Sequence, residues 1–200
     1  MTGTVERVDR GTRRDELLDA ADRAVQRAGP AASMTAIAAE AGITKPVLYR
    51  HFGDKGGLYA ALVRRHTDRL LVRLQGALAE GRTPRERVLL AVDAYLSVIE
   101  AEPQVYRFLV HSDEAAAAAG QVRTFLRRLG DLLAGGIAAE LALPHGSVRP
   151  AAWAHGLVGM VQSAGDWWLE SGSCPRGELV AELTDLLWGG YGLRAERRGP

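Results

Sequence analysis

At 200 residues, 47% hydrophobic and 24% charged, the chain suits one compact domain or a small module joined to a larger one, which excludes a disordered tail. A single cysteine, Cys174, excludes an internal disulfide framework and a multi-cysteine zinc site. The net charge of +1 conceals an uneven distribution. Residues 1–75 hold 13 Lys and Arg against 9 Asp and Glu, and the remainder holds 12 against 15, so the basic excess lies in the N-terminal part, where it suits a polyanion.

The opening MTGTVERVDRGTRRDE has arginines but no apolar run of the signal-peptide kind. The most apolar stretch, 151–169, is interrupted by His155, Gln162 and Asp166 at positions that would have to sit in hydrocarbon. A soluble cytoplasmic protein without a membrane partner is therefore expected.

In chain order, apolar residues at Leu17, Ala21, Ala24 and Ala28 mark one helical face, with a capping box at Thr12 and Asp15 and a stop at Gly29-Pro30. A short helix over 35–41 ends at Gly42, and another over 45–52 follows Thr44 as N-cap and stops at Gly53. A long helix is expected over 55–79. Thr83-Pro84-Arg85-Glu86 combines a capping box with proline at the first helical position and starts the next helix. Glu102-Pro103 restarts a shorter one, while the alanine-rich 113–120 decides nothing. Val122, Phe125, Leu129, Leu132 or Leu133, and Ile137 mark a further helix, and two more cover about 149–170 and 175–194. The pattern predicts an all-α fold of about nine helices.

The sharpest signal is 35–55, TAIAAEAGITKPVLYRHFGDK. Two short helices joined by a tight turn at Gly42 pack nearly crosswise, as in a helix-turn-helix. Ala38 and Ala41 are small at the crossing, Gly42 permits positive φ, and Ile37, Ile43, Leu48 and Phe52 supply a small core. Lys45, Pro46, Val47, Tyr49, Arg50 and His51 then face outward, a basic and aromatic surface suited to a DNA major groove and its phosphates.

The segment MTAIAAEAGITKPVLYRHFGDKGGLYAAL resembles the DNA-binding signature of TetR-family transcriptional regulators, over about residues 13–60. That resemblance implies a three-helix DNA-binding head over 1–55 and a helical effector-binding and dimerisation domain over 56–200. It implies that Thr35, Tyr49, His51 and Lys55 hold phosphates of a double-stranded operator, while Thr44, Lys45, Pro46, Val47 and Arg50 face base edges. The chain departs from the family pattern at two places. Pro46 replaces a common glycine, and Gly56-Gly57 occupies the first turn of the fourth helix, which predicts a looser junction.

A single head reads few base pairs, so specific binding calls for two heads on a two-fold site, roughly 34 Å apart. The apolar stripes Trp153, Leu157, Val161, Ala164, Trp168 and Leu179, Leu183, Leu186 suit four-helix packing, and the resemblance favours a homodimer through them. Tyr95, Tyr106, Phe108, His111, Phe125, Met160 and Trp167 are candidates to line a cavity. The resemblance implies that some of them surround a small effector, expected to be apolar or aromatic. The histidines form no His-x-x-x-His pair, so neither a metal nor another cofactor is expected. A ligand-responsive repressor follows as the main reading. The alternative, a small helical enzyme acting on an apolar molecule, lacks any phosphate loop, nucleophile elbow or Cys/His pair, and no catalytic residue is expected.

Overall fold

The computed structural model describes residues 3–111, 119–144 and 146–195. Among the described residues there are nine α-helices, one short 3₁₀ turn and no strand. The helices are α1 (Gly3–Ala28), α2 (Met34–Glu40), α3 (Lys45–Phe52), α4 (Lys55–Glu80), α5 (Pro84–Ala101), α6 (Pro103–His111), α7 (Ala119–Glu140), α8 (Arg149–Ser171) and α9 (Arg176–Ala195), with the 3₁₀ turn at Gly29–Ala31.

Local chemistry accounts for most of the boundaries. Ser33 caps α2, its hydroxyl accepting from the Ala36 amide at 3.1 Å. The capping box of α5 forms, with the Glu86 amide donating to Thr83 Oγ1 at 3.2 Å. The returning Glu86 carboxylate accepts from the Arg82 amide at 2.9 Å, one residue before the position usual for the motif. Gly172 ends α8 in the left-handed region, at φ +57°, where a Cβ would be strained. The expected start at Thr12–Asp15 is corrected: α1 begins at Gly3 and runs through it, because Thr and Gly weaken a helix without stopping it. Part of 113–120 lies outside the described residues.

The chain forms two compact units: residues 1–66 with 102–122, and residues 67–101 with 123–200. Contacts thus divide the chain differently from a boundary at residue 55, and the burial gives the reason. The three helices before residue 55 do not enclose the core by themselves. In the first unit Leu17, Ala21 and Val25 of α1 and Ile37, Leu48 and Phe52 of the α2–α3 pair pack with Leu58, Tyr59 and Leu62 of α4 and Val105 and Phe108 of α6. The Tyr59 and Phe108 rings meet at 5.5 Å between centroids, and the Tyr59 hydroxyl donates to the Leu109 carbonyl.

Polar side-chain contacts tie the helices of this unit together. Glu40, at the C-terminal end of α2 where a carboxylate opposes the helix dipole, accepts from Arg23 at 2.7 Å and from Arg27. His66 Nε2 lies 2.7 Å from Asp22 and its Nδ1 3.6 Å from Glu102.

In the second unit α9 packs along α5, and α5 also packs against α8. Leu179, Val180, Leu183, Thr184 and Leu187 are the buried side of α9, and Val92, Leu96 and Ile99 that of α5. Arg176 of α9 donates to Asp93 at 3.0 Å and Glu100 at 2.6 Å on α5. Gly165 of α8 permits a close crossing, since a Cβ there would stand 2.9 Å from Ile99 Cδ1. No helix among the described residues is long and apolar enough to cross a membrane.

Candidate nucleic-acid interface and ligand cavity

The turn between α2 and α3 is built on Gly42, whose φ of +65° suits glycine, with the Ile43 amide donating back to the Ala38 carbonyl at 3.0 Å. The Thr44 carbonyl accepts from the Val47 and Leu48 amides at 3.0 and 3.1 Å and so begins α3. The Thr44 hydroxyl makes no capping bond and is exposed, and Pro46 takes the first turn without losing an intrahelical donor. Leu48 is wholly buried and Phe52 nearly so, one turn apart, and these two fix which face of α3 turns outward.

That outward face carries the expected residues. Thr44, Lys45, Pro46 and Arg50 are exposed, and Val47, Tyr49 and His51 are half-buried. The Lys45 ammonium lies 5.6 Å from the Tyr49 ring centroid, which holds the two side chains together one turn apart. Thr35 on α2 and Lys55 at the start of α4 are also exposed. Asp54 caps α4, its carboxylate accepting from the Gly57 amide at 2.7 Å and its carbonyl from the Leu58 amide at 3.2 Å. The one acidic group between 44 and 55 is thereby engaged at the helix start, and Lys45, Arg50, His51 and Lys55 give the surface its positive character.

The expectation of a loose junction at Gly56-Gly57 is corrected. A Cβ at Gly57 would stand 1.9 Å from the Phe52 carbonyl oxygen, so glycine is what lets α4 start against the end of α3. Arg14 of α1, not among the sequence candidates, sets its guanidinium 4.8 Å from the Phe52 ring centroid and braces the same corner. Nothing local in sequence marks that contact.

The second unit holds a partly open cavity of about 710 Å³, mouth included. Leu74 and Leu78 of α4 line it, with Val88, Ala91, Val92 and Tyr95 of α5 and Leu126, Leu129 and Leu133 of α7. Leu157, Val158, Val161 and Gln162 of α8 and Leu187 of α9 complete it. Of the effector candidates whose side chains are described, Tyr95 alone is in this lining. Phe125 packs on the adjoining cluster of Leu70, Leu74 and Leu129. Phe108 belongs to the core of the first unit with 4% exposure, and Tyr106 shares its helix. Trp167 is 53% exposed, and Met160 is half-buried outside the lining. The side chain of His111 lies outside the described residues. The aliphatic lining escaped the sequence reading because Leu and Val at helical spacing look the same in a closed core and around a cavity.

The dimer stripes need a similar correction. Trp168, Leu179 and Leu183 are each 6% exposed, buried within this one chain. The Trp168 indole donates to the Cys174 carbonyl at 2.7 Å. Leu157 and Val161 line the cavity, Ala164 is half-buried, and Trp153 lies beneath Arg149. The predicted stripe on α8 is its inward side. Its outward side carries Ala152, Gly156, Gly159, Ser163 and Trp167, and on α9 Leu186 is 60% exposed. Among the described residues no group of three His, Cys, Asp or Glu side chains is placed to hold a metal.

Comparison with known proteins adds to this geometry. Residues 17–62 match the family model described as bacterial regulatory proteins, tetR family, and residues 73–200 match that of the tetracyclin repressor-like C-terminal domain. The chain is 34% identical over 180 residues to an uncharacterized HTH-type transcriptional regulator of Mycobacterium tuberculosis, covering 88% of this chain and 76% of that one. It is 33% identical over 188 residues to the HTH-type transcriptional activator FasR of Mycolicibacterium smegmatis, covering 92% and 85%. Among solved structures, a TetR-like transcriptional regulator from Rhodococcus sp. RHA1 superposes with a TM-score of 0.69 at 28% identity, covering 90% of this chain and 96% of that one.

Proposed function

Since the chain belongs to the TetR family of bacterial transcriptional regulators, we propose that it binds a pseudo-palindromic operator as a homodimer and leaves it when a small apolar molecule fills the cavity of the second unit. The observation that carries this reading is the two-sided character of α3: Leu48 and Phe52 anchor it, while a basic and aromatic surface is left for DNA. In this reading Thr35, Tyr49, His51 and Lys55 hold phosphates, and Thr44, Lys45, Pro46, Val47 and Arg50 meet base edges in the major groove. The outward faces of α8 and α9, with Trp167 and Leu186, pair the two copies.

The effector acts by binding more tightly to a state whose two heads no longer match successive grooves; tight binding to both states alike would release nothing. The α4 helix provides the covalent path, because it begins at Lys55 and also supplies Leu74 and Leu78 to the cavity. The sign of regulation follows from the position of the operator. Occlusion of the promoter gives repression, the mode proposed for this chain, and binding upstream of it would give activation, the mode named for FasR. A promoter–reporter fusion with and without the regulator reads this sign directly. The binding step is tested by mobility shift on DNA from the chain's own promoter region across a salt series. Affinity should fall steeply as salt rises, and the absence of any shifted fragment would refute the proposal.

A further inference from the structure

We propose that the occupant of the second unit's cavity is an uncharged aliphatic chain, with any ionised head group kept outside. This rests on the reading of that unit as effector-binding and specifies its ligand. Seven leucines, four valines and an alanine make up twelve of the fourteen lining residues, and the other two are Tyr95 and Gln162. Among the described residues no Asp, Glu, Lys, Arg or His lines the cavity. A carboxylate, phosphate or ammonium drawn inside would lose its hydration and meet no counter-charge, a penalty that apolar contact does not offset. The buried part of the ligand is therefore neutral.

The lining also discriminates among neutral ligands. A site for a planar aromatic presents ring faces for stacking, whereas here, among the described residues, Tyr95 supplies the one ring and no tryptophan reaches the lining. Leu74, Val92, Leu129 and Leu187 are buried, and the other lining side chains are half-buried. Branched aliphatic walls of this kind suit a flexible chain of methylenes. The Gln162 amide, half-buried, can satisfy a single hydroxyl or carbonyl at the end of that chain. The expectation of an apolar or aromatic effector is thus narrowed to an aliphatic one.

The test is calorimetric titration of the full-length chain with hexanol, octanol, decanol and dodecanol. The dissociation constant should fall about fourfold for each added methylene until the cavity is filled. Leu157→Trp should bring that limit to a shorter chain, and Val72→Ala, at an exposed position outside the lining, should leave the series unchanged, with far-UV circular dichroism checking that both variants fold. Decanedioate must place one of its two charges inside and should not bind. An affinity independent of chain length, decanedioate binding as well as decanol, or naphthol binding more tightly than decanol would each overturn the proposal. Comparing decanol with decanoyl-coenzyme A separates the sources. A tighter thioester assigns the chain to a carrier-linked acyl group, a tighter alcohol assigns it to a free lipid, and both outcomes support an aliphatic occupant. A labelled-DNA arm keeps this inference distinct from the functional reading. Chain-length-dependent binding that leaves DNA affinity unchanged supports the ligand class and refutes effector control, whereas DNA binding with no alkanol binding refutes the ligand class alone.

Discussion

Gly57→Ala is the substitution that most directly probes how the DNA-binding head is assembled. Its Cβ would stand 1.9 Å from the Phe52 carbonyl oxygen and 3.1 Å from the carbonyl carbon, both backbone atoms of the last residue of α3. Backbone cannot rotate aside as a side chain does, so the start of α4 must move away from α3. Forced overpacking of this kind costs about 1–3 kcal/mol. Replacing glycine by alanine in a helix interior returns at most about 1 kcal/mol, and less in a first turn. A net loss of about 1–2 kcal/mol is expected from these two effects, and for a chain of this length each kcal/mol lowers Tm by about 2–4 °C. Gly56→Ala supplies the control. There the nearest atom is the Asp54 side-chain oxygen at 3.3 Å, which has to give by only a few tenths of an ångström while still capping Gly57, so the change should be close to neutral. Gly76→Ala, with nothing within 4 Å, should stabilise by about 0.5–1 kcal/mol. Differential scanning calorimetry of the three variants, with mobility shifts alongside, gives the ranking. Because the displaced turn carries Lys55, Gly57→Ala should also weaken DNA binding. A Gly57→Ala protein as stable as Gly56→Ala, with unchanged DNA affinity, would refute the close α3–α4 contact.

Other expectations follow from single contacts. Lys55→Ala should weaken binding to all DNA about equally and reduce the salt slope by about 1, whereas Lys45→Ala and Arg50→Ala should change which sequences are preferred in a binding-site selection. The Glu40 carboxyl is held below its ordinary value of 4.5, first by the hydrogen bond from Arg23 and then by that from Arg27. A carboxylate of this kind contributes stability above its unfolded pKa and loses it as pH falls through the lower folded value. Thermal melts below about pH 4.5 should therefore show a shallower acid decline in Glu40→Gln than in the parent chain, and a smaller difference at high salt because the pair is at the surface. Leu186→Glu, at an exposed position, should give a folded monomer by sedimentation, against the dimer proposed for the parent chain. Leu183→Ala, at a buried one, should cost about 2–5 kcal/mol of stability and leave the dimer intact.

Sequence alone determined the elements whose cause is local. Helix ends follow from side chains and glycines within a few residues, which is why the bounds of α3 were legible to the residue and those of α2, α4 and α5 nearly so. The outward face of α3 was legible for the same reason: on a short helix with Leu48 and Phe52 turned inward, geometry assigns the remaining residues outward. What only the tertiary structure decided was the use of each apolar face. Trp168 and Leu179 carry the same residue types and spacing whether they meet a partner or their own chain, and burial assigns them to their own chain. The leucines and valines around the cavity could equally have closed into solid core. Gly57 is a weak point by helix propensity alone, whereas the Phe52 carbonyl, five residues back along the chain, leaves no room for a Cβ there. Periodicity states that a face is apolar, but the surface it meets depends on how distant helices pack.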